Sequence, residues 1–342
     1  MREIKSNKNS PLKKIFIKLC RIFGFEIIDQ SNFYIPTSNK SLDQSISIPG
    51  KRSINLPLGK VNITRPVKSL DIILRTCMSV NMLTQSKKRI FEKSKDEYTK
   101  RTLISIIKST NHAKNIFQNV RFKIFVIDHN SEKNQIKNMK NILDGSDINF
   151  EILNLKLEEF SNQIKKINEE NKEVTSNQKS NMSNIHKSLL LSKEKSEDLV
   201  YLVEDDYIHQ KDSISEMLYA YERIASLTEK ELIICPTDYP YLYTQSEDTK
   251  IFLGEKRHWR QVDQTLCTFL TSKKIIKKYW TQLTSMCKFE HYPFEKPLHN
   301  IYKIETCISP MPSLAVHFTN INSIYGLSPN VNWKKLWEEN EN

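Results

Sequence analysis

Residues 199–207 join an apolar segment to three consecutive carboxylates, and this junction constrains the fold more than any other part of the chain. Five apolar residues without alternation are typical of a strand covered on both faces, as central strands of parallel sheets are. In an open parallel sheet, ligands bind beyond the carboxyl ends of the strands. The sequence therefore predicts that Glu204, Asp205 and Asp206 lie at the ligand-binding edge of a sheet.

Three adjacent carboxylates repel one another unless water, a cation or a basic partner lowers the local field. If the chain stays extended, Glu204 and Asp206 point to one side and Asp205 points to the other. Two carboxylates with room for water and phosphate oxygens are a common way to hold Mg²⁺ or Mn²⁺ in nucleotide-handling enzymes. We therefore expect a divalent cation here, and a solvated acidic turn is the alternative.

The composition argues against some classes of function but does not identify a single one. Lysine and arginine number 52 against 40 acidic residues, and the net charge of +12 favours an anionic partner such as nucleic acid, a membrane or a phosphorylated substrate. The six cysteines form no C-x-x-C pair, which argues against a zinc ribbon or a disulfide framework and favours a reducing, cytoplasmic setting. The six glycines form neither G-x-G-x-x-G nor a Walker loop, which argues against dinucleotide dehydrogenases and P-loop enzymes.

Strands and helices alternate from residue 69 onward, which is the βαβ pattern of an α/β domain with a parallel sheet. Besides the strand at residue 199, the predicted strands are 71–74, 123–127, 149–153, 231–234, 251–253, 265–270 and 313–318. The predicted helices are 85–108, 132–143, 184–192, 213–225 and 272–283. The polar segment 156–180 predicts a solvated helix or a mobile loop.

Residues 1–68 predict a basic arm that begins with a short amphipathic helix. Apolar residues recur at helical spacing from Leu12 to Phe23, and Gly24 ends the pattern. The remaining positions carry the basic residues Lys13, Lys14, Lys18 and Arg21. One interpretation places residues 11–24 in the headgroup region of an anionic membrane, and the other docks the helix on its own protein. No apolar run approaches the length of a membrane span.

Five short motifs follow one another at predicted strand ends: Asp71-Ile-Ile-Leu-Arg-Thr-Cys, Ile127-Asp-His-Asn-Ser, Val203-Glu-Asp-Asp-Tyr, Pro236-Thr-Asp-Tyr-Pro and Ser309-Pro-Met-Pro-Ser-Leu-Ala-Val-His. In this order they resemble the GT-A type glycosyltransferases, and more closely the family-2-like bacterial nucleotide-sugar transferases, over about residues 71–337. The resemblance implies a Rossmann-like, mostly parallel sheet flanked by helices over 69–342. The donor half would span about 69–207 and the acceptor half about 208–342.

The same resemblance implies an activity. The protein would be a metal-dependent, inverting glycosyltransferase that uses Mn²⁺ or Mg²⁺ and moves a sugar from a nucleotide-diphosphate donor to a glycan, lipid-linked or other cell-surface acceptor. Such an enzyme would serve cell-surface polysaccharide biosynthesis in the cytoplasm, or peripherally on the inner face of the membrane. Two other interpretations stay open. One is a nucleic-acid-binding or nucleotidyl-transfer protein, and the other is a noncatalytic membrane-surface protein with the same fold. We expect no specific nucleic acid, because carboxylates at a sheet edge repel phosphates.

Several residues match donor-binding positions of the resembled family. Arg75, Thr76 and Asp128 correspond to the strand ends that hold the base and ribose, although Asp-His-Asn-Ser is also good turn chemistry and Asp128 would then be a turn cap. Arg257 and Arg260 would bind the diphosphate or an anionic acceptor by charge-assisted hydrogen bonds, and the neighbouring tryptophan would stack on a sugar ring. The alternative for this loop is a basic surface.

The metal ligands implied by the resemblance come from two segments. Val203-Glu-Asp-Asp-Tyr stands where the family has D-x-D, with Glu204 in place of the first Asp. Glu204 and Asp206 would bind the metal and Asp205 would contribute to donor binding, although the substitution leaves open which acid binds directly. His317 matches a late-strand histidine that completes the metal shell in some of these enzymes, and its alternative role is a buried core residue.

Direct displacement at the anomeric carbon also needs a carboxylate that takes the proton of the acceptor hydroxyl. Asp238 and Asp263 are the candidates, because Asp238 follows a predicted strand and Asp263 follows the polar loop 255–260. The alternative for Asp238 is a structural turn before Pro240.

Overall fold

The computed structural model describes residues 11–25, 62–79, 89–244, 248–319 and 321–341. The chain divides into two compact units, Met1–Asn62 and Ile63–Asn342. The first unit contains the predicted amphipathic helix as α1, Pro11–Ile22, and Gly24 follows it with a φ of 79°. Residues 1–10 and 26–61 of the predicted arm lie outside the described residues.

The second unit alternates strands and helices. Their order is β1 Ser69–Thr76, α2 Lys95–Ile116, β2 Arg121–Asp128, α3 Lys133–Asp144, β3 Asn149–Asn154, α4 Ser176–Glu194, β4 Leu199–Glu204, β5 Tyr207–His209, α5 Ser213–Thr228, β6 Ile233–Ile234, β7 Ile251–Leu253, β8 His258–Gln261, β9 Phe269–Ser272, α6 Lys273–Lys278, α7 Trp280–Lys288, α8 Lys296–Tyr302, β10 Cys307–Met311, β11 Ala315–His317 and α9 Trp333–Glu338. Within the described ranges, no helix is both long and apolar enough to cross a bilayer.

The strands form a nine-stranded sheet in the order β3-β2-β1-β4-β9-β6-β10-β8-β7. The first four of these strands are parallel, β6 and β10 are parallel to each other, and β8 and β9 run against their neighbours. The predicted α/β class with a mixed, mostly parallel sheet is therefore confirmed. A second, two-stranded sheet pairs β5 with β11 antiparallel.

The central strands are apolar on both sides because each face of the sheet is covered. Ile72 and Val203 belong to one buried cluster with residues of α2 and α5. Their sequence neighbours Ile73 and Leu202 belong to a second buried cluster, with residues of α4 and α6. Alternation across the pleat thus sends neighbouring residues into different layers, and continuous apolar runs are the expected sequence of such strands.

Some predicted elements differ from the structure. The strand expected at 265–270 lies at Phe269–Ser272, and the helix expected at 272–283 is interrupted at Tyr279. The expected helix at 85–108 begins at Lys95, and residues 80–88 lie outside the described part of the chain. We did not predict β10, because it contains Pro310, and proline is unfavourable inside a sheet.

The polar segment 156–180 is not simply a solvated helix or loop. It contains a short 3-10 helix, Leu157–Phe160, and the first turn of α4. Phe160, Ile164 and Val174 are buried in the same cluster as α4. These three apolar residues anchor an otherwise mostly exposed segment, and they are too few among its polar residues to predict that burial.

A third buried cluster lies beside the small sheet. It combines Tyr98 of α2, Phe318 after β11, and Trp337 of α9. The Trp337 ring lies 4.7 Å from the Tyr98 ring and 5.5 Å from the Phe318 ring, measured between centroids. The segment that follows β11 is therefore held against α2 by aromatic packing.

Candidate functional site

The predicted strand-end residues lie at one edge of the sheet. In the parallel register, Thr76 at the end of β1 is opposite Asp128 at the end of β2, and Arg75 is opposite Glu204 at the end of β4. Thr76 Oγ1 donates a hydrogen bond of 2.6 Å to Asp128 Oδ1. This juxtaposition follows from the register of parallel strands, whose carboxyl ends share one edge.

Asp128 is a turn cap as well as a strand-end residue. Its carboxylate accepts hydrogen bonds from the Ser131 backbone N–H at 3.2 Å and from the Ser131 hydroxyl at 2.6 Å. The turn alternative is therefore correct for its local structure. Asp128 also lines a cavity of about 720 Å³ together with Ile136, Phe150 and Asn154, so it borders an opening that combines apolar and polar walls.

The two-stranded sheet brings Asp206 to His317. β5 begins one residue after Asp206, and its first residue, Tyr207, pairs with His317. The Asp206 carbonyl also accepts a 2.8 Å hydrogen bond from the Phe318 N–H. As a result, His317 Nε2 lies 3.5 Å from Asp206 Oδ2 although the two residues are far apart in sequence.

The His317 ring is held on two further sides. Nδ1 lies 2.8 Å from the Tyr325 carbonyl and donates to it, because a carbonyl can only accept. The Tyr207 ring stacks on the imidazole with centroids 4.5 Å apart and planes 5° from parallel. The Tyr207 hydroxyl is 2.7 Å from that of Tyr239. These contacts fix the orientation of Nε2 toward Asp206.

The electrostatics of this pair favour opposite charges. Burial alone would raise the pKa of the Asp206 carboxyl, but the nearby His317 and Lys95 lower it well below its usual range. Burial alone would lower the pKa of His317, but the Asp206 carboxylate raises it. Asp206 is therefore ionised at neutral pH and attracts a proton or a cation to the space beside His317.

The other two acids have different partners. Glu204 Oε1 lies 3.0 Å from Arg75 Nη2. Asp205 forms an ion pair with Lys95 and accepts a 3.0 Å hydrogen bond from the Thr99 hydroxyl. In the part of the chain that the structure describes, no three Asp, Glu, His or Cys side chains are grouped as metal ligands. Of the expected ligands, Asp206 and His317 lie 3.5 Å apart and Glu204 pairs with Arg75.

Arg75 is a buried guanidinium at the strand ends. Its side chain is 6% exposed, and Nη2 is ion-paired with Glu204 at 3.0 Å, although this contact lacks the geometry of a hydrogen bond. Nη1 has a long contact of 3.5 Å with Asn181. A buried guanidinium is costly unless anionic or polar groups bind its N–H donors.

Asp238 and Arg260 form an ion pair with each other. Asp238 is 1% exposed, forms an ion pair with Arg260 and accepts a 2.5 Å hydrogen bond from the Tyr243 hydroxyl. Burial raises the pKa of Asp238, and the hydrogen bonds and the Arg260 charge partly oppose this. Both of its oxygens are used, so the structural-turn alternative accounts for Asp238 better than catalysis does.

The polar loop 255–260 also differs from expectation. Arg257 forms an ion pair of 2.8 Å with Asp212 and a 3.3 Å hydrogen bond to Gln210, near the start of α5. Neither partner is a predicted site residue. Trp259 is fully buried in β8, so the expected stacking on a sugar is wrong. These contacts were not predictable, because Asp212 and Gln210 are distant from the loop in sequence.

Sequence reasoning missed Glu295, the residue immediately before α8. Burial, and secondly the charge of Glu204, raise the pKa of Glu295 to about 7, while a hydrogen bond from its own backbone and the charges of Arg75 and His317 oppose this. Burial and the charges of Glu295 and Asp263 also raise the pKa of Tyr325. Glu295 is therefore coupled electrostatically to the strand-end residues Arg75 and Glu204. The exposed Asp263 influences the same tyrosine.

Comparisons with known proteins give low structural similarities. No family model matches this sequence, and neither does any curated protein. Residues 1–349 of S. aureus TarS match with a TM-score of 0.34 and 12% identity, over 64% of this chain and 56% of that one. The galactosyltransferase LgtC, in complex with donor and acceptor sugar analogs, gives a TM-score of 0.38 and 11% identity over 79% of this chain and 95% of that one.

The inositol-1-phosphate CTP transferase of T. maritima gives a TM-score of 0.38 and 12% identity, with coverages of 81% and 97%. The similar structures thus include both a glycosyltransferase and a nucleotidyltransferase. This chain spans little more than half of the TarS fragment. At this level of similarity, they carry no argument about its activity. The function has to be inferred from the site residues.

Proposed function

We propose that this protein is a glycosyltransferase that uses Mn²⁺ or Mg²⁺ to move a sugar from a nucleotide-diphosphate donor to a glycan, lipid-linked or other cell-surface acceptor. The observation that carries the proposal is the pairing of β5 with β11, which sets His317 Nε2 3.5 Å from Asp206 Oδ2 just beyond the central strand β4. Ligand sites of parallel sheets lie at this edge.

The donor set fits a divalent cation. Because His317 Nδ1 donates to the Tyr325 carbonyl, the neutral ring presents the Nε2 lone pair to Asp206. A metal-binding histidine usually donates its other N–H in this way. A lone pair that faces a carboxylate is favourable only when a proton or a cation lies between them. Asp206 and His317 would hold the ion, and Glu204 would join them only if it leaves Arg75.

A bound cation would neutralise charge on the departing diphosphate. Arg75, which pairs with Glu204, would bind a phosphate oxygen through its guanidinium, since guanidinium groups suit phosphate geometry. The cavity beside Asp128 would take the nucleoside, because Phe150 offers an apolar wall and Asp128 and Asn154 offer polar groups.

We assign the general base to Glu295 in place of Asp238. Glu295 forms no ion pair within the described residues, whereas Asp238 is neutralised by Arg260. A base must accept a proton from the acceptor hydroxyl and therefore needs a carboxylate that is not already saturated. A pKa of about 7 suits that role, because such a carboxylate is partly ionised near neutral pH and still a strong acceptor.

The donor test is a panel of nucleoside diphosphates and nucleotide sugars with Mn²⁺ or Mg²⁺, scored by thermal stabilisation and by donor turnover. We expect a cation-dependent stabilisation of the wild type by at least one nucleotide and its loss in Asp206→Asn and His317→Gln. Asp147→Asn, at an exposed aspartate, is the control. No response of the wild type, or an equal response of Asp206→Asn, would contradict the proposal. Release of pyrophosphate from a nucleoside triphosphate and a sugar phosphate would instead indicate nucleotidyl transfer.

The base assignment has a separate test. Glu295→Gln should keep the nucleotide-dependent thermal stabilisation but lower the rate of transfer by about 100-fold or more, as expected for loss of a general base. Glu290→Gln, at a more exposed glutamate that pairs with Lys165, should leave the rate unchanged. If the wild type transfers sugar and Glu295→Gln is equally active, the base assignment is refuted. The transferase proposal then still stands.

A further inference from the structure

The first unit presents an apolar face with no buried residue. In α1, Leu12, Ile15, Phe16, Leu19 and Ile22 are all exposed, from 48% at Leu19 to 77% at Leu12. Phe23 and Phe25, just after the helix, are exposed as well. The five residues of α1 recur at helical spacing and therefore form a single stripe, and Phe23 and Phe25 add exposed apolar surface directly after the helix. Isolated exposed apolar residues are ordinary, but a stripe of five apolar residues followed by two phenylalanines indicates a binding surface.

The charged residues of the same segment are all basic. Residues 11–25 contain four basic residues and no acidic one. Lys18 is exposed. A protein partner with an apolar groove would need no such excess, whereas an anionic lipid surface attracts basic residues and accepts apolar side chains at the same time. The charge therefore distinguishes a membrane from the other surfaces that the stripe would fit.

The length of α1 agrees with a position in the plane of the surface. Twelve residues make a helix of about 18 Å, which is shorter than the hydrocarbon core of a bilayer. A helix of this kind lies between headgroups and acyl chains, with phenylalanine and leucine side chains directed inward and lysine side chains directed to lipid phosphates.

We infer that α1 binds the headgroup region of an anionic lipid membrane through its apolar stripe and basic residues. This inference is independent of the proposed sugar transfer, because it uses only residues of the first unit. It selects one of the two interpretations that the sequence left open for residues 11–24. A single amphipathic helix binds reversibly, so we expect binding that depends on lipid charge and salt.

The test is cosedimentation of the full chain with vesicles of phosphatidylcholine alone and with one quarter phosphatidylglycerol. We expect binding to the anionic vesicles only, and at least a fivefold weakening when NaCl is raised from 50 to 500 mM. The double variant Ile15→Ser with Phe16→Ser should lower the partition coefficient at least tenfold. Lys18→Glu should also lower it about tenfold or more, because it reverses one charge and keeps the apolar stripe.

Ile304→Ser is the matched control, because Ile304 is 69% exposed but lies outside the first unit. It should bind vesicles as the wild type does. Equal binding of the double variant and the wild type, or no binding of the wild type, would overturn the inference. A wild-type dimer that becomes monomeric in the double variant would assign the stripe to a second copy. A lowered melting temperature with unchanged vesicle binding would assign it to the chain's own surface.

Discussion

Replacing His209 by glutamine should flatten the dependence of stability on pH. His209 is 1% exposed, its Nε2 lies 2.7 Å from the Tyr201 hydroxyl, and its Nδ1 lies 3.2 Å from Ser105 Oγ. Ser105 Oγ donates its proton to the Thr102 carbonyl at 2.7 Å. It therefore accepts from Nδ1, and Tyr201 donates to Nε2. The neutral ring is fully satisfied, whereas a second proton would force the Tyr201 hydroxyl to turn its hydrogen away from Nε2 and would bury a charge.

The size of the effect follows from the pKa. Burial lowers the pKa of His209 from 6.5 to about 3. Above pH 6.5 the ring is neutral in both states. Between pH 6.5 and about 3, the unfolded chain takes up a proton that the folded chain refuses, so unfolding becomes more favourable as the pH falls. At about 1.4 kcal/mol per pH unit, this histidine removes roughly 2 kcal/mol of stability between pH 7 and pH 5.

The assay is urea denaturation of the wild type and His209→Gln at pH 7, 6 and 5. The variant will be less stable at pH 7, because it loses packing and a hydrogen bond. The stability difference between the two proteins should then shrink by about 2 kcal/mol on going to pH 5. His258→Gln, at an exposed histidine, controls for the loss of an imidazole. A stability difference that stays constant from pH 7 to pH 5 would refute the reasoning.

Two further substitutions, each with a control, test the packing around Gly254 and the ion pairs of Arg65. In Gly254→Ala, the new Cβ would clash with Trp259 Nε1 and lie 2.9 Å from the Arg257 carbonyl, and we expect a loss of about 1–3 kcal/mol in thermal denaturation. Gly145→Ala meets no atom closer than 3.6 Å and should be nearly neutral, so equal melting temperatures would contradict the geometry. Arg65→Met removes the shared partner of Asp198 and Glu231 and should lower the free energy of unfolding by about 2–3 kcal/mol. Arg121→Met breaks an exposed pair with Glu197 and should cost under about 1 kcal/mol in the same urea titration.

The parallel half of the sheet was predictable because its signals are local. An apolar run followed at once by polar residues marks β1, β2 and β4, and parallel register then aligns Arg75 with Glu204 and Thr76 with Asp128. No long-range information is needed for that step.

The remaining parts of the site depend on contacts between distant residues. β5 and β11 have three residues each, too few for a periodic signal, so the 3.5 Å approach of Asp206 and His317 was expected only through the family resemblance. The ion pair of Asp238 was not predictable, because its partner Arg260 arrives on a different strand. Glu295 was missed because its sequence neighbours do not reveal the burial that raises its pKa.

The aromatic cluster around Trp337 makes the candidate metal pair sensitive to residues that never touch a substrate. Phe318 follows His317 directly, and its ring packs on Trp337, which in turn packs on Tyr98. Loosening that stack would allow β11 to shift along β5 and would carry the imidazole away from Asp206. Inactive variants recovered from random mutagenesis should therefore include positions in α9, and such hits would report on alignment of the imidazole and not on chemistry.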